Sequence, residues 1–235
     1  MTSSVPTDLD ALTEAATRSG ARPFRDATGH WATAVEVALM DTILSIGAAV
    51  DGAYGAGVLP RLRAYKAFRG PANTMRLLAT LGPFALDDFV AEQRHVHQLM
   101  TSAAALLDVG VNTAEDVDPT SRAHREALLT TEGMPELAWD YFLIALNHDT
   151  AHLNTLRSAW LQDFVLRNIS APEITAAARD QLLTEATTQL EAEHRRKSYG
   201  RMPEFTLPQL HQAMYRAEYA RATREVPRAY RLTEP

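Results

Sequence analysis

The chain has no cysteine. A disulfide, a thiolate nucleophile and a cysteine-held iron–sulfur cluster are thereby excluded. Apolar runs are short. Residues 35–50 come nearest to one, and Glu36 and Asp41 break them, so the stretch falls below the roughly 18 apolar residues that a bilayer span needs. No basic-then-apolar leader opens the sequence; the expected compartment is the cytoplasm, with no membrane partner. Strictly alternating strand patterns are missing too. Positive charge is scarce: 23 Lys and Arg against 29 Asp and Glu give a net charge of −6, the wrong sign for non-specific affinity to DNA. The imbalance is uneven, because residues 194–235 hold nine Lys and Arg against four Glu. A basic tail on an acidic body suits either nucleic-acid contact or internal charge balance.

What is present is helical periodicity in a chain of 235 residues, long enough for one sizeable core or a two-lobed fold. Residues 31–50 predict a long helix with Val35, Leu39, Ile43 and Ile46 on one face. Gly and Ala crowd residues 47–57, where the backbone should bend. Residues 59–69 are basic through Arg61, Arg63, Lys66 and Arg69, which fits a solvated face or a DNA contact. Residues 73–81 and 86–107 predict two helices parted by Gly82-Pro83, the second interrupted near His95–His97. Ser170-Ala171-Pro172-Glu173 predicts a helix start, and residues 205–224 the closing helix.

The stretch over residues 133–154 organises the rest. Gly133, Met134 and Pro135 form a tight turn, Glu136 and Leu137 open an apolar helix that runs to Leu146, and a polar loop from Asn147 ends near Asn154. A turn that starts a helix presents unpaired N–H groups beside the positive end of the helix dipole, a phosphate-binding arrangement; it is also an ordinary helix start. Trp139, Tyr141 and Phe142 at helical spacing fit a core stripe or a stacking platform. Asn154 fits a helix cap before residues 156–166.

This stretch resembles the hairpin, second helix and following loop of the helix-hairpin-helix base-excision DNA glycosylases, endonuclease III-like. Gly133, Trp139 and Tyr141 fall on the pattern Gly-x-Gly-Pro-x-Thr-Trp-x-Tyr. Phe68-Arg69-Gly70-Pro71, residues 78–83, Phe89-Val90 and residues 103–117 are similar to the helices before the hairpin, and residues 207–216 to a closing helix. The resemblance implies an all-α, two-lobed fold: a helical barrel lobe over residues 31–135, and a second lobe from residues 136–225 packing with residues 1–30, followed by a tail over residues 226–235. The interlobe cleft would hold the loop 147–154. DNA would be a weak, sequence-independent partner, no cofactor would be needed, and the activity would be monofunctional.

Departures from the family weaken that activity. Pro135 stands where a glycine offers its N–H to phosphate, and proline has none. Glu136 puts a carboxylate where phosphate would dock. Leu137 replaces the lysine that bifunctional members use, so no Schiff base forms. The family's aspartate aligns with Asn154, whose amide can neither supply countercharge nor take a proton. Asp149 and His152, with His148 nearby, are then the groups left for acid–base work. A repurposed scaffold with a small-molecule ligand is the alternative. Three acid-x-x-His sequences (Glu92–His95, Asp149–His152 and Glu191–His194) raise a further rival, a di-metal helical-bundle oxidase. With eight His and 29 acids, about one such pair arises by chance, so three are a mild excess. His148 and His152 could also share one ligand or metal if that stretch were helical.

Overall fold

The computed structural model describes residues 7–21, 31–48, 58–71, 73–198 and 204–225, among which there is no strand. The chain is all-α. In order come α1 (Asp8–Arg18), α2 (Val35–Leu44), α3 (Leu59–Arg69), α4 (Met75–Thr80), α5 (Pro83–Leu86), α6 (Gln93–Asp108), α7 (Arg122–Leu129), α8 (Leu137–Ala145), α9 (Ala151–Asn168), α10 (Ala176–Ser198) and α11 (Leu207–Glu225). α2 packs on α3, α4, α6 and α8, while α1 lies against α9, α10 and α11. α8 touches α2 and α7 on one side and α11 on the other. No helix of the described residues is long and apolar enough to cross a membrane.

The predicted one-sided helix over residues 31–50 is shorter and has no polar face. α2 spans Val35–Leu44, and every residue in it is buried, Glu36 and Asp41 included. Buried carboxylates survive only when charge and hydrogen bonds compensate them. Glu36 accepts from Tyr65 Oη at 2.5 Å, Arg69 Nε at 2.8 Å and Nη2 at 3.0 Å, and the Thr74 amide at 2.7 Å. Asp41 accepts from Trp31 Nε1 at 2.6 Å, Arg216 Nε at 3.0 Å, Ser45 Oγ at 3.1 Å and Tyr141 Oη at 3.2 Å. Five residues of helix rotate a side chain by about 140°. The two acids thus bind opposite flanks of α2, Glu36 reaching α3 and the start of α4, and Asp41 reaching α8 and α11.

Boundaries elsewhere follow local chemistry. α6 runs unbroken through His95–His97, and the irregular stretch falls earlier, between Leu86 and Gln93. Pro83 lies at the start of α5, as the Gly82-Pro83 break requires. Ser170 to Glu173 do not start α10; the Thr175 hydroxyl accepts from the Ala178 amide at 3.2 Å and opens that helix later. Of the predicted bend over residues 47–57, Gly47 has φ +59°; residues 49–57, like the tail 226–235, lie outside the described residues. The positive charge of the basic stretch 194–235 is partly internal at its described residues. Arg216 is 1% exposed in its pair with Asp41, and Arg224 Nε donates to the Gly47 carbonyl at 3.0 Å.

Candidate functional site

α7 and α8 are joined by a turn at Gly133, whose φ of +78° favours a residue without Cβ. A Cβ there would also stand 2.8 Å from Gln98 Nε2. That amide donates to the Glu132 carbonyl at 2.8 Å and pins the turn to α6. Met134 donates its amide to the Thr131 carbonyl at 3.1 Å, and its side chain packs on the core. The Pro135 carbonyl accepts from the Ala138 amide at 2.8 Å, and Leu137 packs inward. Glu136 does not face the solvent alone: Arg125, eleven residues earlier on α7, pairs with it across the turn. Both side chains are exposed, so the pair offsets only part of the carboxylate charge that the sequence placed at the hairpin.

Trp139 and Tyr141, expected at a pocket wall, are 3% and 0% exposed. α8 is buried on nearly all sides, so both belong to the core. Tyr141 stacks on Tyr219 with centroids 4.2 Å apart, and its hydroxyl is used by Asp41.

α8 ends at Asn147, whose φ is +64°, a conformation asparagine tolerates better than most residues. The His148 amide then donates to the Leu143 carbonyl at 2.9 Å. Thr150, not Asn154, caps α9: its hydroxyl accepts from the Leu153 amide at 3.2 Å. Asn154 therefore lies inside the helix. Its Nδ2 donates to Asp149 Oδ1 at 2.6 Å, and its Oδ1 accepts from Arg157 Nη1 at 3.1 Å. Arg157 Nη2 holds the His148 carbonyl at 2.7 Å. Burial, and secondarily Arg157, lowers the His148 pKa, against the pull of Asp118. His152 Nε2 is 3.2 Å from Asp140 Oδ1, which brings the first turn of α9 beside the first turn of α8. Thr150→Ala is expected to lower stability by about 1 kcal/mol in urea unfolding, with Asn154→Ala costing less because it removes no cap.

Asp149 and Asn154 are thus brought together on an exposed shoulder, with His148 joined to them only through the Arg157 bond to its carbonyl and His152 turned to Asp140. Asp149, His152 and Asn154 are exposed, and the cavities nearest the hairpin are not lined by residues 147–154. Those cavities lie beside the end of α2 and the first turn of α6. One cavity of about 320 Å³ is bordered by Gly133, Glu132 and His97, and a second of about 310 Å³ by Arg61 and Gly47; both share Ile46, Arg94 and His95.

The histidine pairings do not meet. His148 precedes α9, so the four-residue spacing to His152 is not helical. Asp149 likewise lies outside the helix that carries His152. Glu92 stands before α6 and pairs with Arg94, and Glu191 pairs with Arg195. His95, expected in polar surroundings, is 8% exposed. Among the described residues no three His, Asp or Glu are placed to hold one metal ion.

Arg157, Arg125 and the burial of His95 escaped the sequence reading. For Arg157 the three-residue step from Asn154 was a usable signal; for Arg125 and His95 nothing local was. No family model, curated protein or solved structure matches the chain.

Proposed function

We propose that the chain is a divergent protein of the helix-hairpin-helix base-excision type, holding damaged DNA weakly and without sequence preference, with N-glycosidic activity weakened or lost. One observation carries this reading. α7, the left-handed turn at Gly133 and the buried α8 lead to an α9 whose start, presenting Asp149, is folded back beside α8 by the Asp140–His152 contact. The packing of α1 against α9, α10 and α11, apart from the set gathered on α2, favours two lobes with α8 spanning the join.

In this reading the carboxylate at work is Asp149. It would support positive charge developing on the sugar and polarise an attacking water, while the Asn154 amide and Arg157 fix its position. Asn154 is a positioning residue, since an amide takes no proton. The hairpin grips less than it could, because Pro135 offers no N–H and the Arg125–Glu136 pair spends an arginine on a carboxylate.

Retention of an abasic-site duplex tests the reading. Binding is expected at low ionic strength and should fall steeply as salt rises. Asp149→Asn should keep that binding while lowering any base excision by about 100-fold or more. Pro135→Gly with Glu136→Pro should strengthen retention. A folded protein that retains no duplex at low salt would remove this reading and leave the small-molecule scaffold, which the two cavities beside α2 and α6 favour.

A further inference from the structure

The two cavities share Ile46, Arg94 and His95 in their walls and together line a cleft region beside the C-terminal end of α2, the first turn of α6 and the hairpin. We propose that this cleft binds a phosphate group carried on a compact organic body, with Arg61 and Arg94 meeting the phosphate and His95 hydrogen-bonding the body. The proposal stands apart from the base-excision reading, since it requires neither Asp149 nor duplex DNA.

His95 is the first reason. It is 8% exposed and borders both cavities, yet its imidazole has no hydrogen-bond partner among the described residues. Neither ring nitrogen is among the sealed polar atoms that lack a partner, so the imidazole edge is open where a ligand's polar group in the cleft can meet it. Burial also lowers the pKa of this ring, so at neutral pH it offers one donor and one acceptor. An uncharged heteroaromatic edge suits that pair.

The charges supply the second. Arg61 forms no ion pair or hydrogen bond among the described residues. The partner of Arg94 is Glu92, with both side chains well exposed at 70% and 56%. Such pairs are worth about 0–1 kcal/mol, so the guanidinium is easily turned to a stronger anion. The positive end of the 16-residue α6 adds to the same corner. Glu92 and Glu132 on the rim oppose a highly charged ligand and favour a single phosphate over a long anionic polymer. The wall is fixed by the bond from Gln98 to the Glu132 carbonyl. Each cavity is near the lower bound of roughly 300 Å³ for small-molecule pockets, a size that suits a compact ligand such as a mononucleotide and not a polymer.

Phosphate can arrive on a free nucleotide or in a nucleic-acid backbone, and the two are separable. The full chain is titrated with inorganic phosphate, adenosine monophosphate and an abasic-site duplex, followed by amide NMR spectra. Adenosine monophosphate should shift the resonances of Arg94, His95, Gln98 and Gly47. Arg61→Gln with Arg94→Gln, both surface changes, should weaken its binding by more than about tenfold. His95→Phe should reduce the affinity of the nucleotide towards that of phosphate alone. Nucleotide binding without duplex binding supports the cleft and removes the base-excision reading. Duplex binding without nucleotide binding overturns the cleft and spares that reading. No shift with any probe, or shifts indifferent to both arginines, overturns the proposal.

Discussion

Asp41→Asn is expected to cost about 3–5 kcal/mol of folding stability, read as a lowered urea midpoint with an unchanged slope. Asp41 is fully buried and Arg216 is 1% exposed, so the substitution leaves a guanidinium in the interior without its counter-ion. Arg216 also lies over the Trp31 ring, 5.7 Å from its centroid. Trp31 and Tyr141 would each lose part of a charge-assisted hydrogen bond. Against a total stability of about 5–15 kcal/mol, that is a large share. The double variant Asp41→Asn with Arg216→Met should regain most of the loss, because an apolar chain of similar length needs no counter-ion. A single-variant loss below about 1 kcal/mol would mean that water reaches this centre and that α2 is not the sealed axis described above.

That centre also marks where sequence reading stopped. Helix type and approximate extent were legible because apolar spacing and Gly-Pro punctuation are local: the Gly82-Pro83 break, the Gly133 turn and the exit at Asn147 all lie where composition put them. The burial of Glu36 and Asp41 was not legible. Their compensating groups are Arg69 and Arg216, 33 and 175 residues away, and periodicity treats any carboxylate as a surface residue. The same limit explains Glu136, whose charge is partly offset by Arg125 through the fold. The caps of α9 and α10 failed for another reason. Thr150 and Asn154, or Ser170 and Thr175, are all capping types, and the backbone path decides which one meets an open amide. At the candidate site the side-chain bond between Asn154 and Asp149 was not legible either, because it depends on where α9 begins. Asn154 was read as a replaced catalytic group; in the proposed function its bond to Asp149 makes it a positioning residue instead.

Acidification from neutral pH to about pH 4 is expected to remove about 3 kcal/mol of stability through His211. Burial, with a smaller contribution from Arg179, pushes its pKa down to about 4 despite the opposing carboxylate of Asp180. Nε2 has no hydrogen-bond partner among the described residues, and the ring packs 6.2 Å from that of Tyr215, centroid to centroid. The sign follows from proton uptake. Below the ordinary value of 6.5 the unfolded chain protonates this imidazole while the folded chain does not, down to about 4. Stability therefore falls as pH falls through that window and levels off, for this group, below it. His95 and His148 are lowered in the same direction by burial and add to the slope. Urea unfolding across the window, compared between the native chain and His211→Gln, isolates the contribution. The variant should lose less stability on acidification, because its amide takes up no proton in either state. Equal slopes for both proteins would show that His211 is reached by water and that α10 and α11 do not close over it.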